Sequence, residues 1–472
     1  MNVGIEAERH CSNKQCAKLL MPGKEKKCSR CMIVFYCSAD CQRVHWTSAS
    51  NGHRGECKSQ PTLDRRDPLQ RVVSDLRSAT TELQIVQCAR DIHRLADDNN
   101  EAAKKKIGGY GVCELLLEKM RALPDLLDVA IFTISVIVLL CNGEVMNVEE
   151  NRRKFIDSDA VKLIATLIDT FPNDWQVASQ GCAAIKQMSS SIFNKKKLKR
   201  HGGCAAILTA VRRHPANVEV QKSGLLAIFN MTTDPDGQKT KTGDMADASK
   251  EVLAELRTAL TTDGAFDVVL SAMRVHRNNR EIAGSGLKCC LQLSLLESNQ
   301  NRLDVTNGTW DAVQNHRSSF DVCGLWYRMI AETNFDDDTI AHVGDVGACE
   351  FFASSVDTHY RSLTEMSLVS YIVPIVLRAT GVLAKNYLNR IKLAQTALFR
   401  RLVDLFTEHY WNVEIAQTFC DVMEGILRND AIFTLSDQEV VIHALTGFHH
   451  ADGVSTVEVR PHCSHLYGAV SI

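Results

Sequence analysis

Proline is scarce in this chain, with nine residues in 472. Helices can therefore run unbroken over most of its length, since an internal proline removes a hydrogen bond and clashes with the turn before it. Long apolar runs are missing too. The longest uncharged one, "VAIFTISVIVLLC" from Val129 to Cys141, has 13 residues. A bilayer span needs about 18–20, so a buried helix is expected there and no membrane partner. The opening "MNVGIEAERH" lacks the apolar stretch of a secretory leader. The expectation is an intracellular protein of cytoplasm and/or nucleus, where clustered cysteines read as metal sites before disulfides. An excess of one charge is also absent, the net value being −2. Residues 1–60 carry +5 and the remainder −7, neither enough to predict nucleic-acid binding by the whole chain. No P-loop, dinucleotide fingerprint or nucleophile triad is present.

Cysteine, in contrast, is plentiful. Seven of the 18 precede residue 60, and with one histidine they form an ordered series: Cys11, Cys16, Cys28, Cys31, Cys37, Cys41, His53 and Cys57. Eight soft or borderline ligands make two closed tetrahedral sites, the arrangement structural zinc prefers. Cys28 and Cys31 fit a tight knuckle. Ser38 can cap a short helix, "SADCQRVHW", that sets Cys41 in its first turn beside Cys37. Few apolar residues accompany them, so two structural Zn2+ ions are expected to supply most of the folding free energy, about 10 kcal/mol or more per site.

The ligand order, the "YC" at the fifth ligand and the "CQ-x3-W" from the sixth resemble the MYND-type zinc finger, over Cys11 to Cys57. In that family ligands one, two, five and six share one zinc, and three, four, seven and eight the other. The resemblance thus implies Cys11, Cys16, Cys37 and Cys41 around one ion, with Cys28, Cys31, His53 and Cys57 around the second. The gap from Cys41 to His53 is longer than the family's, which makes His45 a rival for the seventh place. His53 keeps the three-residue spacing to Cys57. The resemblance also implies a protein-interaction module for proline-containing peptides of the P-x-L-x-P type, with Ser29, Gln42 and Trp46 as peptide-binding positions. Trp46 could equally pack the finger's small core. Once seven thiolates and two Zn2+ are counted, the module's charge falls to about +2, too little for a phosphate-tracking surface.

From about residue 70 the chain reads as helix after helix, with internal repetition. "DAVKLIATLIDTFPNDWQVASQGCAAIKQMS" from Asp159 and "GCAAILTAVRRHPANVEVQKSGLLAIFNMT" from Gly203 place Pro172 on Pro215 and Gly181 on Gly224, both 43 apart. A third copy starts at Gly264, and weaker ones near Gly111, Gly308 and Gly347. Asn412-Val413-Glu414 echoes Asn217-Val218-Glu219. Such a period, with two apolar helices split by a polar loop, resembles the armadillo/HEAT-like superhelical array, over Leu83 to Gly447. The glycine recurring inside the second of these helices, Gly181, Gly224 or Gly286, implies a close helix crossing. Peptide-binding armadillo proteins keep an Asn ladder on the third helix; here its places hold Gln187, Asn230 and Gln292, so nuclear-import cargo binding is not expected.

The expected organisation is a finger at 1–60, a linker at 61–82, repeats at 83–447 with a polar, mobile insertion at 233–252, and a polar tail at 448–472. The basic run "NKKKLKR", Asn194 to Arg200, reads as a solvated face rather than a nuclear signal. His449, His450, His462, Cys463 and His465 read as a polar tail rather than a third metal site. The functional expectation is a non-enzymatic scaffold, the finger docking a proline-containing peptide and the array a second protein. A transcriptional or chromatin regulator is the alternative. Some MYND proteins are lysine methyltransferases, but only ten residues precede Cys11 and no SET-type "N-H-S-C" stretch occurs. Nucleic-acid binding through Lys24, Lys26, Lys27 and Arg30 is the weakest reading.

Overall fold

The computed structural model describes residues 16, 26–27, 35–47, 67–97, 100–234, 244–296, 308–365, 369–409 and 412–427. The chain divides into two compact units, residues 1–74 and 75–472. In the first, strands β1 (Lys26–Lys27) and β2 (Phe35–Tyr36) pair antiparallel, Lys26 opposite Tyr36. Helix α1 (Ala39–Thr47) follows. Helix α2 (Pro68–Ser78) crosses the division, inside the stretch expected to be a linker.

The second unit begins with α3 (Glu82–Leu95), whose N-terminus is closed by a Thr81/Gln84 capping box. Triplets of helices follow: α4 (Glu101–Gly109), α5 (Val112–Ala122) and α6 (Leu127–Cys141); α7 (Val145–Asp157), α8 (Ala160–Thr170) and α9 (Trp175–Met188); α10 (Ile192–Arg200), α11 (Gly203–Arg213) and α12 (Val218–Thr232); α13 (Asp244–Thr262), α14 (Ala265–Val275) and α15 (Arg280–Ser294). Among the described residues, α16 (Thr309–Asn315) and α17 (Phe320–Glu332) come next, ahead of two more sets. These are α18 (Asp337–Asp345), α19 (Ala348–Leu363) and α20 (Val369–Leu383), then α21 (Tyr387–Ala394), α22 (Leu398–His409) and α23 (Val413–Leu427). The repeat thus has three helices where the sequence showed two apolar ones.

The third helices stack in series, α3 on α6, then α9, α12, α15, α17, α20 and α23, and this is the most extensive packing in the array. The apolar run from Val129 lies in α6, between α3 and α9, with Val129, Ile134, Val136, Ile137 and Leu140 fully buried. First and second helices meet at a sharp corner. Gly111, Gly202, Gly264 and Gly347 take φ of +80° to +86° there, and Asp159 holds the same place at +61°. Glycine enters this left-handed region without a Cβ penalty, and aspartate is among the few side chains that tolerate it.

The glycines inside the third helices sit under their own second helix. A Cβ added at Gly181 would lie 3.0 Å from Ile164 Cγ2, at Gly224 2.1 Å from Val211 Cγ2, and at Gly286 2.4 Å from Met273 Sδ. Each is seven residues past its helix's N-cap, Asp174, Asn217 or Asn279. The close crossing read from their recurrence is therefore present.

Two sequence readings are corrected here. The basic run is a solvated face only in part, at Lys196 and Arg200. It lies in α10, where Asn194, Lys195 and Leu198 are buried. Lys195 donates to the Thr233 carbonyl at the end of α12, while Lys197 pairs with Asp157 and Lys199 with Glu255 at 2.8 Å. Buried cations recur at such ends: Lys104 Nζ reaches Asn142 O (2.8 Å), and Arg152 reaches Cys141 O (3.0 Å) and Gly143 O (2.8 Å). A helix C-terminus leaves carbonyls unpaired and carries partial negative charge, so a cation there satisfies both. The polar insertion, likewise, is helical from Asp244 onward, and Ser249, Val252 and Leu253 are buried.

Candidate metal centre and docking faces

In the first unit, β2 anchors the site through Tyr36, whose side chain is fully buried. The chain leaves the strand at Cys37 and turns into α1 at Ser38. Ser38 Oγ accepts from the Cys41 amide (3.1 Å), the cap expected from the sequence. Cys37 and Cys41 are thereby held one turn apart with Sγ atoms 3.4 Å from each other, and Cys16 Sγ lies 3.5 Å from Cys37 Sγ. All three donor atoms fall within 4.8 Å of one another. A disulfide needs about 2.05 Å, whereas thiolates about 2.3 Å from a tetrahedral zinc stand roughly 3.8 Å apart. The spacing fits a shared ion, and three sulfur donors are the soft set that zinc accepts.

These are three of the four cysteines assigned to the first ion, gathered across the intervening Cys28 and Cys31. Cys11, Cys28, Ser29, Cys31, His53 and Cys57 lie outside the described residues, as do Lys24, Arg30 and the histidines and cysteine of the tail. His45 faces Tyr36: its Nδ1 is 3.1 Å from the phenol oxygen, and the rings meet edge-on at 5.8 Å. It is not part of the thiol group. Gln42 and Trp46 are both half-buried and one turn apart on α1, so they share a face. Val44, 48% exposed, adds apolar surface to the same helix.

In the array, nine of the later cysteines are buried free thiols. Cys420, in contrast, is disulfide-bonded. Burial pushes the Cys141, Cys182, Cys204 and Cys290 thiols up to about 12, so none of these is an activated nucleophile. Of the ladder positions, Gln187 donates to Asn142 Oδ1 (3.3 Å), and Gln292 Oε1 accepts from Arg257 (3.2 Å); Asn230 is half-buried. Two of the three are thus engaged within the array.

The third helices also bound a cleft of about 620 Å3, formed by residues of α12, α15, α17 and α20. Sequence reading missed it, because its lining is drawn from four helices separated by long stretches of chain. Only the phase shared by the third helices could have signalled it. Lys222 and Glu281 form an ion pair across it at 2.5 Å.

A zinc-stabilised finger joined to a helical repeat array is the class of protein these two units define. Residues 10–57 match the family model of the MYND finger, so the chain carries a zinc-binding protein-interaction module of that family. A solved structure concerned with a phosphorylation switch in the interaction between cadherin and beta-catenin is similar to this chain. Its TM-score is 0.51 at 10% identity, over 92% of this chain and 90% of the other. At that identity the likeness shows the fold alone, an armadillo-like helical array. The comparison with curated proteins returned no match. Among the described residues no helix is long and apolar enough to cross a membrane.

Proposed function

We propose that this protein is a non-enzymatic, intracellular scaffold. Its finger docks a short proline-containing peptide through Ser29, Gln42 and Trp46, and its array holds a second protein. Two structural Zn2+ ions maintain the finger, one on Cys11, Cys16, Cys37 and Cys41, the other on Cys28, Cys31, His53 and Cys57. The observation that carries the reading is the geometry of α1. The helix that supplies Cys41 to the thiol group also displays Gln42 and Trp46 one turn apart. Metal binding and peptide docking are coupled through that single helix. A proline-rich peptide is already extended and loses little entropy on docking. The indole offers apolar area, and the Gln42 amide can bond a peptide backbone.

The test compares proteins captured from cell lysate by the native chain and by Trp46→Ala, alongside metal analysis of chelator-free material. Two zinc equivalents per chain, and loss of proline-motif partners in the variant, are expected. Identical partner lists would remove the peptide groove, and a metal-free protein with an ordered finger would remove the zinc sites.

A further inference from the structure

Histidines string together the edge along which second helices turn into third helices. His276, at the end of α14, meets Pro215 O through Nε2 (2.8 Å). His316, at the end of α16, meets Arg277 O in the same way (3.1 Å), and His359 of α19 meets Arg317 O (3.0 Å). A carbonyl oxygen can only accept, so each ring donates from Nε2. Each acceptor directly follows the histidine of the preceding corner: Pro215 follows His214, Arg277 follows His276 and Arg317 follows His316. The corners are thereby held in one register, in steps of about 8–10 Å, the spacing of packed helices.

Two adjacent corners of this edge carry arginine without a carboxylate partner. Arg274, Arg277, Arg280 and Arg317 are exposed, and none makes an ion pair among the described residues. Pairing is common elsewhere in the array, as in Arg94 with Asp91, Lys162 with Asp159 and Arg401 with Asp357. The acidic residues nearby in sequence are already held. Lys222 takes Glu219 (3.6 Å) and Glu281 (2.5 Å), which leaves Asp321 against the four arginines. A planar guanidinium matches a phosphate with two parallel hydrogen bonds, which a lysine cannot do. Further along the edge, Trp175 opens α9 directly after its N-cap and is 43% exposed. It holds the first-turn place that Arg280 holds in α15, two steps and roughly 20 Å away.

We propose that this edge binds single-stranded nucleic acid, the arginines following the phosphates and Trp175 stacking a base. The local cluster of unpaired arginines carries the inference, since the net charge of the whole chain does not. A free polyphosphate is disfavoured, because a small ligand takes a concave site that encloses most of it and these side chains stand on an open edge. An acidic peptide would meet the arginines and leave the indole unused, whereas a single strand engages both. Of the four arginines only Arg280 also lines the cleft.

The test is independent of peptide docking by the finger. Fluorescence anisotropy would follow a fluorescein-labelled twelve-nucleotide oligouridylate binding to the full-length zinc-loaded protein over a salt series. Four phosphate contacts give a slope of log K against log salt of about −3. Arg277→Gln and Arg317→Gln should each weaken binding severalfold and bring the slope about 0.7 nearer zero. Both side chains are exposed, so these variants keep the fold. Trp175→Ala should weaken binding about tenfold and leave the slope unchanged. A Lys26→Gln, Lys27→Gln double variant of the finger should alter neither. No binding at low salt, a slope unchanged in both arginine variants, or tighter binding of a fluorescein-labelled aspartate dodecapeptide would overturn the proposal. Loss in the finger variant with retention in the arginine variants would place the RNA on the finger and also overturn it.

Discussion

Replacing Gly224 with alanine probes the packing rule of the array directly. A Cβ there would stand 2.1 Å from Val211 Cγ2, whereas carbon atoms settle at about 3.5–4.0 Å. The second and third helices must therefore separate, or Val211 must move within a core where it is only 2% exposed. Overpacking of this size costs about 3 kcal/mol, and alanine's better helix propensity returns about 1 kcal/mol, leaving a net loss of about 2 kcal/mol. Val211→Ala alone removes two buried carbons and leaves a small void, again about 2 kcal/mol. If the sites were independent, the double variant would lose about 4 kcal/mol. Since Val211 Cγ2 is the atom in the way, the double variant should lose only about 1 kcal/mol, a coupling of about 3 kcal/mol. Urea unfolding followed by far-UV circular dichroism measures all four corners. Midpoints of the same transition are compared, because repeat arrays need not unfold in one step. An additive cycle, or a neutral Gly224→Ala, would refute the close crossing as the reason for the glycine.

Gly284→Ala should do the reverse and raise stability by about 0.4–1 kcal/mol, since its Cβ meets nothing closer than 4.0 Å; a fall in the same assay would contradict the open packing there. Lys195→Ala should cost about 1–3 kcal/mol by leaving the Thr233 carbonyl without its buried donor, while Lys196→Ala, at an exposed neighbour, should leave the unfolding midpoint unchanged. Burial holds the His214 and His409 imidazoles below their ordinary value of 6.5. The unfolded chain therefore takes up their protons first, and this contribution, present above pH 6.5, is lost as pH falls below it. The midpoint should drop between pH 7 and pH 5, less steeply in a His214→Gln, His409→Gln double variant. Under native conditions iodoacetamide should leave Cys141, Cys182 and Cys290 unlabelled, as mass spectrometry would show, because burial keeps them protonated.

Local spacing made the finger legible: ligand intervals, the Ser38 cap and the position of Cys41 all act within a few residues. The third helices were legible for a related reason, since their apolar faces and crossing glycines recur in phase. The first helices were hidden. In α10 the string of lysines resembles solvent-facing surface, yet Lys195 is buried because its partner carbonyl sits 38 residues later. The insertion was similarly opaque: the polar start of α13 conceals Val252 and Leu253, which the neighbouring helices cover. The cleft has no local signature, because Lys222, Gly284, Gly324 and Tyr371 meet only after four helices stack.

The buried cations at helix ends also fix where this protein could be divided. Arg152 belongs to the set that begins with α7, yet it closes the carbonyls at the end of α6. A fragment stopping after Asn142 would expose those groups at a ragged, sticky edge. One extended through Ser158 carries its own seal, so the seam for cutting or grafting this array falls after α7, where the sequence copy at Asp159 begins, and not between the helix triplets.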